Sequence, residues 1–219
     1  MLRIAIADDH RLFRKGLAGL LNSFENVSVV LEAENGLKLL ESMESIPIDL
    51  LITDLQMPQM DGFETCKTVR QLYPEVKILV VSQLTTKEAI YQIMQIGVHG
   101  YFSKDSNPDQ LQEAVFSIRD KDFYFGQELG AVIREAILWE KKNKNQSVKQ
   151  EAALTKREIE VIQMACKEYS SLEIAEKLFI NVRTVETHRK KIMEKTESKN
   201  FIGVVLYALK HNLVRMEDL

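Results

Sequence analysis

The chain has 219 residues and a formal net charge of −3, enough length for one or two domains that each bury a core of ordinary size. No uninterrupted apolar run approaches about 18 residues, which excludes a membrane-spanning helix, and the N-terminus meets Asp8-Asp9 too early for a signal peptide. The two cysteines, Cys66 and Cys166, fall in separate helical patterns and are expected as free thiols in a reducing cytoplasm. Charge is uneven: acidic residues outnumber basic ones over 1–118, and the balance reverses over 155–199, which argues for two units with different partners.

In chain order, the first half alternates short apolar runs with amphipathic stretches, the pattern of a doubly wound α/β domain. Strand-like runs occupy 2–7, 49–53, 76–81 and 98–103, and helical segments fall near 10–22, 35–44, 62–72, 86–96 and 108–119. Thr85-Thr86-Lys87-Glu88 reads as a capping box, Asn107-Pro108 as a cap followed by proline in the first turn, and Pro47 closes the second helix. The strand-like runs end on Asp8-Asp9, Asp54, Ser82 and Lys104. In an open parallel sheet the carboxyl ends of the strands form the ligand crevice, so these side chains should converge. Three clustered carboxylates repel one another and make sense around a hard divalent cation such as Mg²⁺, which favours oxygen ligands. The ammonium of Lys104 and the hydroxyl of Ser82 then suit a transferred phosphoryl group.

Asp8-Asp9-His10, Asp54-Leu55-Gln56-Met57-Pro58 with Asp61-Gly62, Ser82, and Tyr101 with Lys104 resemble the receiver domain of two-component response regulators. The resemblance spans roughly the first 118 residues. It implies a five-stranded, flavodoxin-like parallel sheet and a phosphoacceptor, Asp54, served by a histidine kinase. It further implies Mg²⁺ held by Asp9, Asp54 and the backbone carbonyl of Gln56, with Asp8 helping through water. Ser82 and Lys104 contact the phosphoryl oxygens in that scheme, and Tyr101 is a rotamer switch. His10 is read as a helix-start residue without chemistry.

Beyond residue 119 the texture changes. Residues 127–142 fit one amphipathic helix with Trp139 among its apolar positions, and a polar stretch over 141–151 reads as a mobile linker. The expected organisation is a receiver over 1–120, a linker over 121–152 and a small all-α domain over 153–219. Four helices are expected there. Thr155–Glu158 and Ser170–Glu173 are capping boxes, and Asn181 and Asn200 cap the third and fourth helices.

The second and third of these helices, joined by Phe179-Ile180-Asn181, form a helix–turn–helix, whose second helix enters the DNA major groove. Val185 and Ile192 anchor its inner face, leaving Arg183, Thr184, Glu186, Thr187, Arg189, Lys190 and Lys191 outward or on the flanks, with His188 at the DNA backbone or in the turn. Leu154–Val161, Glu173–Leu178 and Thr184-Val185-Glu186-Thr187-His188 with Ile192 resemble the LuxR-type helix-turn-helix of NarL/FixJ regulators over about 150–215. Two residues depart from that pattern. Tyr169 stands where glycine is frequent, and Glu186 stands where lysine is frequent. A glutamate cannot hold phosphate but can accept a hydrogen bond from cytosine. The fourth helix is apolar nearly all round, read as a dimer face, with packing against the helix around Trp139 as the alternative.

The leading expectation is a phosphorylation-controlled, promoter-binding transcription factor, dimeric when phosphorylated, cytoplasmic and not an enzyme. An aspartyl-phosphate phosphohydrolase would need a second acid two residues after its nucleophile, where this chain has Gln56. A flavin protein is disfavoured because Asp8-Asp9 would repel the cofactor phosphate. A receiver acting only as a protein-binding module leaves the helix-turn-helix unexplained.

Overall fold

The computed structural model describes residues 1–84, 86–124, 126 and 154–215. Its first part is a parallel sheet of β1 (Leu2–Ala7), β2 (Val27–Ala33), β3 (Leu50–Thr53), β4 (Lys77–Ser82) and β5 (Gly100–Ser103), in the order β2-β1-β3-β4-β5. The intervening helices are α1 (Arg11–Asn22), α2 (Gly36–Met43), α3 (Gly62–Leu72), α4 (Lys87–Ile96) and α5 (Asp109–Lys121). Strand residues alternate between the two faces of the sheet. Ile4, Ile6, Ile52, Leu79 and Val81 pack under α1 and α5 through Leu17, Leu21, Leu111 and Ile118. Ala5, Ala7, Leu51, Ile78 and Val80 face α2, α3 and α4 through Leu39, Cys66, Val69 and Ile93. With both faces covered, a strand reads as an unbroken apolar run, and each fully buried Ile or Leu contributes about 1.5–3 kcal/mol.

Strand order reverses direction between β1 and β3, so the crevice of an open α/β sheet falls at their carboxyl ends. Helix starts are fixed by side chains. Asn35 accepts from Lys38 N–H and Asp61 from Glu64 N–H. Thr86, rather than Thr85, caps α4 by accepting from Ala89 N–H; the cap lies one residue later than its sequence pattern indicates, which puts Ala89 where a capping box needs Glu88. At α5, Asn107 Oδ1 accepts from Asp109 N–H at 3.0 Å while Pro108 takes helical φ and ψ.

The described C-terminal residues form α6 (Lys156–Cys166), α7 (Ser171–Leu178), α8 (Val182–Lys195) and α9 (Phe201–Lys210). Both expected capping boxes are formed, and Asn181 and Asn200 cap α8 and α9. Tyr169 does not strain its turn, because Glu168 takes the left-handed conformation there, at φ 61°, and the Tyr169 ring lies under the Lys177 ammonium. The helix expected over 127–142 and the polar linker lie outside the described residues.

The apolar surplus of α9 is covered within the chain. Phe201, Ile202, Val204, Val205, Ala208 and Leu209 are each 4% exposed or less, packed on α6, α8 and, across the seam, α4. The pattern of α9 predicts a dimer face, with cover by the helix around Trp139 as the alternative, and Trp139 lies outside the described residues. The receiver covers part of this face, because Phe123, just past α5, stacks on Phe201 with centroids 5.9 Å apart. One apolar core runs through the seam without a break. Asn200 Nδ2 donates to the Val98 carbonyl, Lys199 Nζ to the Gln95 carbonyl at 3.0 Å and Arg70 Nη2 to the Lys199 carbonyl at 2.9 Å. Gly97 suits this place twice: it closes α4 at φ 101°, and a Cβ there would lie 2.9 Å from Lys199 Cβ.

His99, buried beside this seam, accepts a hydrogen bond from Ile78 N–H through Nδ1 at 3.0 Å. Burial, with help from Arg70 and Lys77 and against Asp122, pushes its imidazole down to about 3. The neutral form is therefore native. Stability from this group is complete above the unfolded value near 6.5 and is lost as pH falls toward 3, at up to about 1.4 kcal/mol per pH unit. Urea midpoints at pH 7 and pH 5 should differ more for the wild type than for His99→Gln. Equal pH dependence in the two proteins would remove His99 as the cause.

Candidate phosphoryl-transfer site and DNA-reading helix

The sheet brings the expected side chains together. Asp54 follows β3 and is 4% exposed. Its Oδ1 accepts from Ser82 Oγ at 2.6 Å, Leu55 N–H at 2.6 Å and Gln56 N–H at 3.3 Å. Its Oδ2 accepts from Lys104 Nζ at 2.6 Å, and the same ammonium donates to Asp8 Oδ2 at 2.6 Å. Asp8 is 2% exposed, and its Oδ1 is held by His10 N–H at 2.8 Å. Burial pulls the Lys104 ammonium down, but the hydrogen bonds and charges of Asp54 and Asp8 outweigh it and leave the group above its ordinary value. The ammonium also lies 4.4 Å from the Phe13 ring centre.

Asp9 is more open, with its side chain 34% exposed and 2.8 Å from His10 Nδ1. Donor atoms of Asp8, Asp9, His10 and Asp54 all lie within 4.8 Å of one another. Three carboxylates at one point fit a hard divalent cation, which prefers oxygen. His10 joins this cluster, beyond the helix-start role that its sequence position suggests. Its place directly after the two aspartates, at the position that precedes α1, was the available signal. Arg14 is a second residue without a sequence signal, donating to the Asp8 carbonyl.

Tyr101 is fully buried, and its hydroxyl donates toward the carbonyls of Ser82 and Leu84, each at 3.1 Å. It therefore packs inward and ties the segment after β4. Gly62 has a packing reason: a Cβ would lie 2.0 Å from the Asp54 carbonyl oxygen, so only glycine lets α3 begin against the acceptor loop.

At the other end, Val185 and Ile192 are fully buried, as expected of the inner face of α8. Arg183, Thr184, Glu186, Thr187, Lys190 and Lys191 are exposed and His188 is half-buried. Thr187 Oγ1 donates to the Arg183 carbonyl at 2.8 Å, leaving its lone pairs outward. Arg189 is different. It is 3% exposed, with its guanidinium 4.0 Å from the Phe201 ring centre, donating to the Lys121 carbonyl and 3.2 Å from Asp122. In this arrangement it faces the receiver.

Residues 4–116 match the family described as response regulator receiver domain, and residues 152–208 match the luxR family of bacterial regulatory proteins. Relatives include an uncharacterized transcriptional regulatory protein, YhcZ, of Bacillus subtilis, 33% identical with 97% of each chain covered. The oxygen regulatory protein NreC of Staphylococcus carnosus is 32% identical, with 97% of this chain and 99% of NreC covered. Among solved structures, a complex of the response regulator RcsB with DNA shares the fold at TM-score 0.58 and 23% identity, covering 95% of this chain and 98% of RcsB.

Removing the ammonium shared by Asp8 and Asp54 should leave two buried carboxylates uncompensated. Loss of one partner of a buried pair costs about 3–5 kcal/mol. Lys104→Met should lower stability by that order in urea titration with chelator present, and an unchanged midpoint would show the carboxylates do not depend on Lys104. With the acidic crevice at one end and the exposed helix at the other, the chain belongs to the NarL/FixJ family of DNA-binding two-component response regulators.

Proposed function

We propose that Asp54 accepts a phosphoryl group from a histidine kinase with Mg²⁺ present and that this step controls promoter binding by α8. The observation that carries the reading is the convergence of Asp54, Asp8, Lys104 and Ser82 from four strand ends on one buried point. Asp8, Asp9, Asp54 and the Gln56 backbone carbonyl are the residues that hold the metal. When bound, Mg²⁺ neutralises charge on the phosphoryl oxygens.

The Asp54 carboxylate is the nucleophile. Its oxygen forms a bond to phosphorus as the P–N bond of the donor phosphohistidine breaks and the imidazole leaves with the electron pair. Lys104 gives up Asp54 Oδ2 and turns to a phosphoryl oxygen, and the Ser82 hydroxyl donates to another. Gln56 can neither donate nor take a proton, and Leu84 keeps water from the acyl phosphate, so the phosphorylated state persists. A phosphoryl group adds roughly −1.5 to −2 charge, which draws Ser82 and Lys104 inward. The Ser82–Leu84 segment held by Tyr101 follows and shifts α4.

Because Gln95, Gly97 and Val98 at the far end of α4 carry the contacts to Lys199 and Asn200, movement of α4 loosens the seam. The freed α9 face then pairs with a second copy. Two α8 helices read half-sites about one helical turn apart through Arg183, Thr184, Glu186, Thr187, His188, Lys190 and Lys191, with Arg189 joining once released. This regulation belongs in the cytoplasm, where kinase and promoter are both at hand.

Incubation with acetyl phosphate and Mg²⁺ should add one hydroxylamine-labile phosphate and raise affinity for promoter DNA in a gel shift. Asp54→Asn should show neither change. Equal labelling of Asp54→Asn would remove Asp54 as the acceptor.

A further inference from the structure

We infer that Asp122, the residue that closes α5, stands in for a DNA backbone phosphate and holds Arg189 out of the DNA interface until the seam opens. The inference rests on the reading of α8 as the helix that meets DNA. Arg189 is the only member of its basic run, Arg189-Lys190-Lys191, that is buried. An arginine enters a protein interior only with partners, and the partners here are oxygens at the end of α5, the Asp122 carboxylate at 3.2 Å and the Lys121 carbonyl. An anionic oxygen beside a neutral acceptor is the same chemistry a phosphodiester offers, and guanidinium binds either.

The contact is also incomplete. Arg189 Nε and Nη1 are buried without a hydrogen-bond partner among the described residues. Buried unmet donors weaken the closed state, while a phosphate can engage guanidinium with two oxygens at once. Asp122 is divided as well, since Lys77 Nζ lies 2.6 Å from its Oδ1. The side chain is 43% exposed, so water competes for it too. The latch is thus strong enough to sequester one cation and weak enough to be exchanged.

Geometry makes the two states exclusive. Arg189 lies on the stripe of Val185 and Ile192, facing inward, and Phe201 supports its guanidinium from below. The same Phe201 stacks on Phe123 of the receiver. A side chain held between Asp122 and Phe201 cannot also reach a phosphate, so each molecule that binds DNA through Arg189 must release Asp122. Lys190 and Lys191 stay exposed in the closed form, which leaves it a residual, weaker DNA affinity.

The test uses the full chain and a random-sequence duplex long enough for two half-sites, because phosphate contacts do not depend on sequence. Asp122→Asn keeps the shape, suits the left-handed backbone at φ 71° and removes the charge. Without acetyl phosphate it should bind about 5-fold or more tighter than wild type, the low end of ordinary coupling between sites. Its slope of log K against log salt should be steeper by about 0.9 for each protomer's recovered phosphate contact. The gain should vanish when Arg189→Gln is added, as a pair acting together requires. Lys77→Met removes the other partner of Asp122 and should not raise affinity. An Asp122→Asn chain with wild-type affinity and slope would overturn the inference. So would an equal gain from Lys77→Met or a gain that persists with Arg189→Gln, since either would mean general loosening. A wild type that takes up no phosphate would defeat the reading of Asp54 but would leave the Asp122→Asn comparison intact, because that comparison needs no phosphorylation.

Discussion

One ammonium shared by two buried carboxylates sets the terms for the rest of the molecule. Moving ions of this size into a protein interior costs several kcal/mol each even after relaxation. Lys104 meets that cost only because Asp8 and Asp54 approach it to 2.6 Å from two different strands. That geometry needs β1, β3 and β5 in fixed parallel register, which the apolar strands supply on both faces. The sheet is therefore the device that makes a buried cluster of charges affordable. Any added negative charge at Asp54 must redistribute Lys104 and Ser82, because no other described cation or hydroxyl donates to that carboxylate.

The seam between the two units repeats this physics with less completion. Arg189 is a second buried cation with a carboxylate and a carbonyl for company, but two of its nitrogens lack partners. Burial accordingly holds its guanidinium below the ordinary value, with Asp122 and Glu186 opposing. Burial pushes the Asp122 carboxyl up, yet Arg189 and Lys77 together bring it below the usual range, so the pair remains ionic. The cluster at Asp54 is thus well satisfied and the one at Arg189 poorly satisfied, which makes the seam the weaker of the two contacts. The apolar contact of Phe123 with Phe201 and the bond from Asn200 to the Val98 carbonyl place that weak point next to α4, whose other end follows Ser82 and Leu84.

Much of this was legible in the residues. Runs of Ile, Val and Leu ending on a polar side chain located four strands and the site together, since burial on both faces leaves an unbroken apolar string and function sits at its carboxyl end. The capping boxes at Thr155 and Ser170 located α6 and α7, because the pattern is local and the bonds form between residues three apart. The residues say less where distant contacts decide. Thr86 caps α4 although only Thr85 has a glutamate three residues on, because either threonine can serve as an N-cap. The residue type of Arg189 points to DNA, while Lys121, which accepts its hydrogen bond, lies 68 positions away in sequence. The apolar surplus of α9 was visible, but a sequence cannot say whether a second copy or its own receiver covers it.

The central claim is that charge at Asp54 is transmitted through α4 to the seam. Amide hydrogen exchange on the full chain, with and without acetyl phosphate and Mg²⁺, reports local opening directly. Segments 95–99, 118–124 and 199–205 should lose protection on phosphorylation, while β1 and β3 keep theirs. Unchanged protection in those three segments, in a chain whose DNA affinity nonetheless rises on phosphorylation, would contradict the account.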